Sequence, residues 1–375
     1  MKELKQIIHA FSLACKNRQR AALATVVHVE GSSYRGPGAR MLITEDGMLT
    51  GAISGGCLEG DALRKALTVM MEGKPLLTTY DTSDEEDAVI GVGLGCNGII
   101  RVLIEPLAPE DEAGPMALLQ QVIAKRQPSV LVTFFSMDEK WSPRQGTRLL
   151  LKENETPKQA GDLPATLSAI TKDAANIFET KTPAFIQYPT GDSAFIEYIA
   201  PPLSLMIAGA GNDVFPLVQI AEVLGWDVTL IDGRPNYANA RRFPTCKLIV
   251  TKPEEALRDL VPDDQTAVVL MTHNYEYDKA ILKAMLPLPV NYIGMLGPKK
   301  KLSRMLSELE VADEHLSRIF SPVGLDIGAE TAEEIALAIA AEIKAVFAGK
   351  TGVHLRKLPG GIHDRNTAIV ASSTH

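Results

Sequence analysis

The stretch formed by residues 202–235 constrains the fold of this 375-residue chain more than any other part of it. An apolar run up to Ala208 is followed by Gly209-Ala210-Gly211, by a helical pattern that closes at Gly225, and by a second apolar run that ends at Asp232. This order predicts strand, glycine turn, helix and strand. In such a frame the glycines let the backbone approach a phosphate at the helix N-terminus, and the acidic residue binds a ribose hydroxyl. The stretch therefore predicts a nucleotide-binding frame.

The glycine fingerprint departs from the usual pattern at two positions. Val214 stands where a third glycine normally lets helix and strand pack closely, and Asp213 stands where a pyrophosphate should approach. Aspartate is also favoured as an ordinary helix N-cap, which is the simpler interpretation of Asp213. Because a carboxylate beside a pyrophosphate costs affinity, the stretch favours the fold over NAD binding.

Strands and helices alternate along the remainder of this region. We expect strands at 203–208, 227–231, 247–250, 266–271 and 290–293, and helices near 213–224, 275–286, 298–310 and 330–347. This alternation predicts a parallel, doubly wound sheet, in which ligands bind outside the carboxyl ends of the strands. The polar and glycine residues expected at that edge are Gly209, Gly211, Asp232, Arg234, His273 and Gly294.

The first part of the chain predicts a different kind of domain. A helical start is followed by a hairpin around Glu45-Asp46-Gly47, by a helix after Cys57 and by further strands. The fold class is thus α/β, with an N-terminal mixed α+β domain at 1–200, a Rossmann-like domain at 201–348 and an irregular tail at 349–375. No internal repeat is visible in the sequence.

Charge and hydropathy exclude some classes of partner. The formal net charge is −8, with 38 basic and 46 acidic residues, so nothing favours nucleic acid or an anionic membrane as a ligand. No apolar run approaches the ~20 residues needed to span a bilayer, and the chain starts with an amphipathic helical pattern. We therefore expect a cytoplasmic protein.

Two cysteines carry the clearest chemical signal of the N-terminal part. Cys57 and Cys96 each follow glycines, so they could present a pair of thiols to a soft electrophile or a metal. Cysteine is equally common as a small buried hydrophobe. In the C-terminal part, His273 fits a structural hydrogen bond or acid–base work, and Arg234 fits a phosphate contact or an ion pair with Asp232.

Several motifs, taken in order, resemble the xanthine dehydrogenase accessory proteins of the XdhC/CoxI family. The resemblance covers most of the chain, and several independent motifs in order are more specific than any one of them. The motifs are GSSYR at 31–35, PGARM at 37–41, SGGCLE at 54–59, GLGCNG at 93–98, GAG at 209–211, DGRP at 232–235, YIGMLG at 292–297 and SPVGLDIGAET at 321–331.

The resemblance implies a maturation factor that binds the molybdenum cofactor, as molybdopterin or its cytosine dinucleotide. Such a factor protects the cofactor while a cysteine desulfurase exchanges an oxo for a sulfido ligand, delivers it to a molybdenum hydroxylase such as xanthine dehydrogenase, and is expected to be a homodimer. Where the family commonly has histidine after the GAG motif, this chain has Asn212, which can hydrogen-bond but cannot titrate. The cofactor-binding residues expected from motifs and resemblance together are Arg40, Gly55, Gly56, Cys57, Gly95, Cys96, Gly209, Gly211, Asn212, Asp232, Arg234, His273 and Gly294, with Cys57 and Cys96 as metal ligands.

An alternative hypothesis is an NAD(P)-dependent oxidoreductase that uses the Rossmann-like domain. It is motivated by Gly209-Ala210-Gly211 and Asp232. Asp213 and Val214 argue against it, as does the lack of a convincing proton-transfer group in the N-terminal half.

Overall fold

A computed structural model describes residues 1–81, 98–137, 145–153, 155, 158–160, 167–189, 191–258 and 260–357. The chain divides into two compact units, one of which is Met1–Pro201 while the other begins at Pro202. In the predicted tail, residues 349–357 are described and contain one short 3-10 helix, Leu355–Lys357.

In its described residues, the N-terminal unit contains two five-stranded antiparallel sheets and four α-helices. Sheet one has the strand order β3-β2-β1-β5-β4, and sheet two has the order β8-β7-β6-β10-β9. The elements are α1 (Lys2–Lys16), β1 (Ala21–Gly31), β2 (Arg40–Thr44), β3 (Leu49–Gly51), α2 (Glu59–Glu72), β4 (Leu76–Asp81), β5 (Gly98–Leu107), α3 (Pro115–Ala124), β6 (Ser129–Ser136), β7 (Arg148–Lys152), β8 (Lys158–Ala160), α4 (Leu167–Thr180), β9 (Ala184–Gln187) and β10 (Asp192–Ile199). The mixed α+β class predicted for this region is confirmed.

Each N-terminal sheet buries both of its faces, because apolar residues alternate between them along the strands. Ala22, Ala24 and Val26 of β1 pack with α2, and the corresponding face of sheet two packs with α4. On the opposite face of β1, Leu23 joins a cluster that also contains Leu131 of β6. The two sheets therefore pack face to face, with α2 and α4 on their outer faces.

The two sheets are copies of one topology, which the sequence did not reveal. Element for element, α1 to β5 is repeated by α3 to β10, and the strand order is the same. The register agrees as well, since Thr25 lies opposite Arg40 in sheet one and Thr133 lies opposite Arg148 in sheet two. The unit is therefore an internal structural repeat.

Two buried ion pairs link the repeated halves, and in each pair the arginine lies in one sheet and the glutamate in the other. Arg40 of sheet one forms a bidentate pair with Glu197 of sheet two, at 3.1 and 2.5 Å. Arg148 of sheet two forms the equivalent pair with Glu105 of sheet one, with an Nη1 to Oε1 distance of 2.7 Å. Each arginine also donates to the carbonyl of the glycine two positions before it, Gly38 or Gly146. These contacts fasten the two sheets at equivalent points.

The C-terminal unit is built on a six-stranded parallel sheet with the order β13-β12-β11-β14-β15-β16. Its elements are β11 (Ser204–Ala208), α5 (Phe215–Leu224), β12 (Asp227–Ile231), β13 (Lys247–Ile249), β14 (Thr266–Leu270), α6 (Tyr275–Met285), β15 (Tyr292–Met295), α7 (Lys299–Glu308), β16 (Ile319–Phe320) and α8 (Ala332–Phe347). If β11 is numbered as the first strand of the domain, this order is 3-2-1-4-5-6, which is the Rossmann arrangement. Its topological switch point lies between β11 and β14. The predicted Rossmann-like fold is confirmed, and β16 is an addition to the predicted strands.

Helices cover both faces of this sheet. Leu205 and Ile207 of β11 pack in a core with α5 and α8, whereas Met206 and Ala208 face a core that contains residues of α6 and α7. This two-sided burial explains why the strand reads as a continuous apolar run. The sheet is thus doubly wound, as the sequence predicts.

None of the helices in the described ranges combines the length and the apolar character that a membrane span requires.

The exchanged ion pairs predict a large effect when one partner is removed. Replacing Arg148 by methionine leaves the Glu105 carboxylate buried without its counterion, because their side chains are only 4% and 7% exposed. We expect Arg148→Met to destabilise the N-terminal unit by about 3–5 kcal/mol in urea denaturation. The matched control is Arg20→Met, since Arg20 is 59% exposed in its pair with Glu45 and its loss should leave the midpoint unchanged. Equal effects of the two variants would contradict this account.

Candidate functional site

The carboxyl end of the parallel sheet contains the topological switch point, which lies between the neighbouring strands β11 and β14. Gly209 follows β11 with a φ of 121°, and a Cβ placed on it would lie 2.5 Å from the Met271 carbonyl oxygen. Only glycine fits there, because the backbone after β14 passes directly beside it. This contact brings the glycine turn and the Thr272-His273 turn to one place.

Asp232 is held by the groups around it. Its carboxylate accepts hydrogen bonds from the backbone and Nε of Arg234 at Oδ1, and from Nη2 of Arg234 and the backbone of Ala210 at Oδ2, all at 2.7–2.9 Å. Four bonds fill the acceptor positions of a carboxylate, and the residue is 3% exposed. Burial raises the pKa of Asp232, but the bonds from Arg234 and Ala210 and the charge of Arg234 lower it more, so the pKa lies below its usual value. A ribose hydroxyl would have to displace one of these donors.

Of the two roles weighed for Arg234, the structure shows the ion pair with Asp232. The side chain is still 49% exposed, and it lies 4.2 Å from the ring centroid of Tyr237. Its Nε and Nη2 serve Asp232, while its Nη1 donates to no other described residue. Arg234 therefore keeps donors for a ligand at the sheet edge.

Asn212 is tied to an arginine that no sequence motif singles out. Its Oδ1 accepts from Nη2 of Arg242 at 2.8 Å, and Nη1 of Arg242 donates to the carbonyls of Ala210 and Tyr237, both at 2.7 Å. Arg242 also lies over the ring of Phe215, 4.8 Å from its centroid. It fastens the glycine turn from a segment that is remote in sequence and has no regular periodicity.

Asp213 and His273 meet at the switch point. His273 Nε2 lies 2.8 Å from Asp213 Oδ2, and their side chains are 64% and 30% exposed. A Cβ on Gly211 would fall 2.3 Å from Asp213 Oδ1, so the carboxylate lies directly over that glycine. The N-cap of the short helix Asn212–Val214 is Gly211, not Asp213, which makes the capping interpretation of Asp213 wrong.

A buried polar network supports the His273 turn. Asp278 is fully buried, and it accepts from the Thr272 hydroxyl at 2.6 Å and from Lys301 Nζ at 2.6 Å. His273 itself has a φ of 56°, which is uncommon for a residue with a side chain. The hydrogen bond between Thr272 and Asp278 fixes the residue before His273 and so helps to hold the His273 backbone in this conformation.

Gly294 lies inside β15 instead of following it. The predicted strand ended at Ile293, but the observed strand continues to Met295. A Cβ on Gly294 would come within 2.6 Å of Val323 and 2.9 Å of the Tyr292 ring. The glycine therefore allows this close packing, and its expected position after the strand is wrong.

In the N-terminal unit, the turn before α2 is organised by Ser54 and Glu59. The Ser54 hydroxyl donates to the Glu59 carboxylate and accepts from the backbone of Gly56, Cys57 and Leu58 at 3.1–3.2 Å. Burial raises the pKa of Glu59, but its bonds with Ser54 and nearby backbone lower it more, so the pKa lies below its usual value. These bonds fix the turn and satisfy the three backbone amides that directly precede α2.

The turn presents Cys57 as a half-buried free thiol. Its Sγ donates to Ser54 Oγ at 3.4 Å. Gly56 has a φ of 111°, and a Cβ on Gly55 would lie 3.4 Å from the Tyr34 ring, which is 69% exposed. Both glycines therefore shape the turn around the thiol.

Arg40 lies in the ion pair with Glu197, on the wall of a cavity of about 150 Å³ in the N-terminal unit. Burial lowers the pKa of Arg40, but the Glu197 carboxylate raises it more, so the guanidinium stays charged. The structure gives Arg40 a structural partner; its contact with a cofactor stays a prediction.

Gly95 and Cys96 lie outside the described residues, so the approach of Cys57 to Cys96 stays a prediction. Within the described ranges, no three histidine, cysteine or acidic residues are grouped as ligands of a metal ion.

Known proteins place the chain in a family. It is 33% identical over 330 residues to a probable xanthine dehydrogenase subunit of Bacillus subtilis, an alignment that covers 88% of this chain and 93% of the relative. The chain belongs to the XdhC and CoxI family. Residues 14–81 match the XdhC and CoxI family, and residues 205–343 match the XdhC Rossmann domain.

Two further relatives of this XdhC and CoxI protein extend over both units. The crystal structure of a xanthine dehydrogenase from Bacillus halodurans shares 31% identity and a TM-score of 0.76, covering 94% of this chain and 98% of its own. The molybdenum cofactor insertion chaperone PaoD of Escherichia coli is 25% identical over 329 residues, which cover 87% of this chain and 83% of the relative. The predicted family is therefore confirmed.

The bonds around Asp232 predict a pH-dependent contribution to stability. Asp232→Asn should destabilise the C-terminal unit by about 1.5–3 kcal/mol at pH 7, because a charged acceptor is lost. The folded pKa lies below the unfolded value of ~3.9, so the contribution is present above that pH and is lost as the pH falls through the folded pKa. Thermal unfolding at pH 7 and pH 3 measures the difference, with the exposed Asp313→Asn as control. A deficit that is the same at both pH values would contradict the ionised role of Asp232.

Proposed function

We propose that the protein is an accessory factor that binds the molybdenum cofactor, supports its sulfuration and delivers it to a molybdenum hydroxylase such as xanthine dehydrogenase. The observation that carries the proposal is the alignment across both units with a relative named a molybdenum cofactor insertion chaperone. The Bacillus subtilis relative, which is named for xanthine dehydrogenase, supports the choice of hydroxylase. The protein acts as a binding factor more than as a catalyst.

Each unit, taken by itself, contains described residues whose chemistry suits such a cofactor. Cys57 offers a soft sulfur ligand in a turn held by Ser54, and thiolates suit soft metals. Arg234 offers free guanidinium donors that suit a phosphate, and the carboxylate of Asp213 offers acceptors. The cofactor itself would supply a molybdenum atom on a pterin dithiolene. This chain's part is to bind it and shield it from water.

The finer points of the proposal follow the family expectation. The bound form is molybdopterin or its cytosine dinucleotide, and Cys57 acts with Cys96. A cysteine desulfurase is the partner for sulfuration, the chain forms a homodimer, and it works in the cytoplasm. Neither a nucleic acid nor a membrane takes part.

Retention of the cofactor tests the proposal. Purified protein is incubated with molybdenum cofactor released from a molybdoenzyme, desalted, and assayed for molybdenum and pterin. We expect near-stoichiometric retention by the wild type and at least about tenfold less by Cys57→Ala, because a direct ligand is lost. Cys246→Ala is the matched control, since Cys246 packs against the core of the C-terminal unit.

The outcomes of this experiment separate the hypotheses. No retention by the wild type would sink the chaperone proposal. Equal retention by Cys57→Ala would remove this thiol from the site while leaving the chaperone. NADH retained in place of the cofactor would favour the NAD(P)-dependent oxidoreductase.

A further inference from the structure

Asp213 is placed where a Rossmann domain normally receives its phosphates. The second glycine of the turn, Gly211, is the position at which backbone and pyrophosphate come together. Here Asp213 Oδ1 occupies that space, 2.3 Å from where a Cβ of Gly211 would stand. His273 fixes the carboxylate by its contact with Oδ2 at 2.8 Å.

A carboxylate at this point repels the ligand that the fold usually takes. Like charges a few ångströms apart disfavour each other, and more strongly at a protein surface than in bulk water. Asp232 adds to the exclusion, because its acceptor positions are filled by Arg234 and Ala210. Both the pyrophosphate position at Gly211 and the ribose position at Asp232 therefore disfavour a dinucleotide. Binding specificity often depends on such repulsive elements.

The same carboxylate attracts a ligand that donates hydrogen bonds. An ionised aspartate has about four acceptor positions, and among the described residues only His273 bonds to Asp213, at Oδ2. The 2-amino group and the N3–H of a pterin are adjacent donors, and a carboxylate can accept from both. Such charge-assisted bonds are about twice as strong as neutral ones.

We propose that Asp213 selects the ligand at this edge, by binding the aminopyrimidinone ring of a pterin and excluding pyrophosphate from the glycine turn. The inference rests on the proposed function, since it assigns one end of the cofactor to one carboxylate. Arg242 and the Thr272–Asp278–Lys301 network hold the two turns that carry Asp213 and His273. The site is therefore preorganised before a ligand arrives.

Two substitutions of Asp213 test the two halves of the proposal. In Asp213→Asn, the amide oxygen can keep the contact with His273. The NH₂ group then faces the donors of the pterin and cannot accept their hydrogen bonds. In Asp213→Gly the space over Gly211 is free, and the charge is gone. Glu276→Gln is the matched control, because it removes one exposed negative charge from the first turn of α6 at the same edge.

The measurement is the dissociation constant of the full-length protein for two probes, molybdenum cofactor released from a molybdoenzyme and ADP-ribose. We expect Asp213→Asn to weaken cofactor binding by about tenfold or more, and Asp213→Gly to strengthen ADP-ribose binding by a similar factor. Glu276→Gln should change neither constant by more than about twofold. Unchanged thermal midpoints verify that the variants are folded.

The outcomes distinguish this inference from the proposed function. Wild-type binding of the cofactor that is unchanged in Asp213→Asn would overturn the role of Asp213 and leave the chaperone standing. If the wild type does not bind the cofactor, both fail. A cofactor constant that weakens as expected, while ADP-ribose remains unbound by Asp213→Gly, would overturn the exclusion of pyrophosphate alone.

Discussion

The contact between Gly209 and the backbone after β14 is the constraint on which the candidate site depends. Because a Cβ at Gly209 would lie 2.5 Å from the Met271 carbonyl oxygen, the glycine turn and the Thr272-His273 turn can approach only through glycine. That approach places Asp213 against His273 at the switch point of the sheet. A side chain at Gly209 would push the two turns apart, and the contact between Asp213 and His273 would be lost. The backbone frame is that of a nucleotide-binding domain, but Asp213 and the filled acceptors of Asp232 give it another chemistry.

The N-terminal unit shows how a repeated scaffold carries chemistry in one copy. Its halves share strand order, register and exchanged ion pairs, so their cores are equivalent. In the first half, the connection between β3 and α2 contains Cys57 in the turn held by Ser54. The corresponding connection of the second half, residues 161–166, has the sequence GDLPAT and no cysteine. The repeat therefore supplies a stable frame, while the thiol belongs to the first half alone.

The sequence predicted the elements whose cause is local. Buried parallel strands read as apolar runs, and the glycine turn after Ala208 marked the sheet edge, so the Rossmann-like fold was predictable. It left both roles of Arg234 open, because pairing depends on the side-chain direction. It missed Arg242, whose partners lie at the glycine turn some 30 residues earlier. It also missed the repeat, because few residue identities beyond the Gly-x-Arg of residues 38–40 and 146–148 agree between the halves. The same topology needs only a similar pattern of buried positions, which different apolar residues can fill. Long-range contacts of this kind leave no periodic signal.

The central claim is that the glycine turn and the His273 turn together receive a pterin cofactor and not a nicotinamide dinucleotide. Amide hydrogen exchange of the wild-type protein, with and without released molybdenum cofactor and with and without NADH, tests it most directly. The account predicts that the cofactor slows exchange in peptides that contain residues 209–214 and 272–274, and that NADH does not. Protection of these peptides by NADH, or cofactor protection that leaves both of them unchanged, would contradict it.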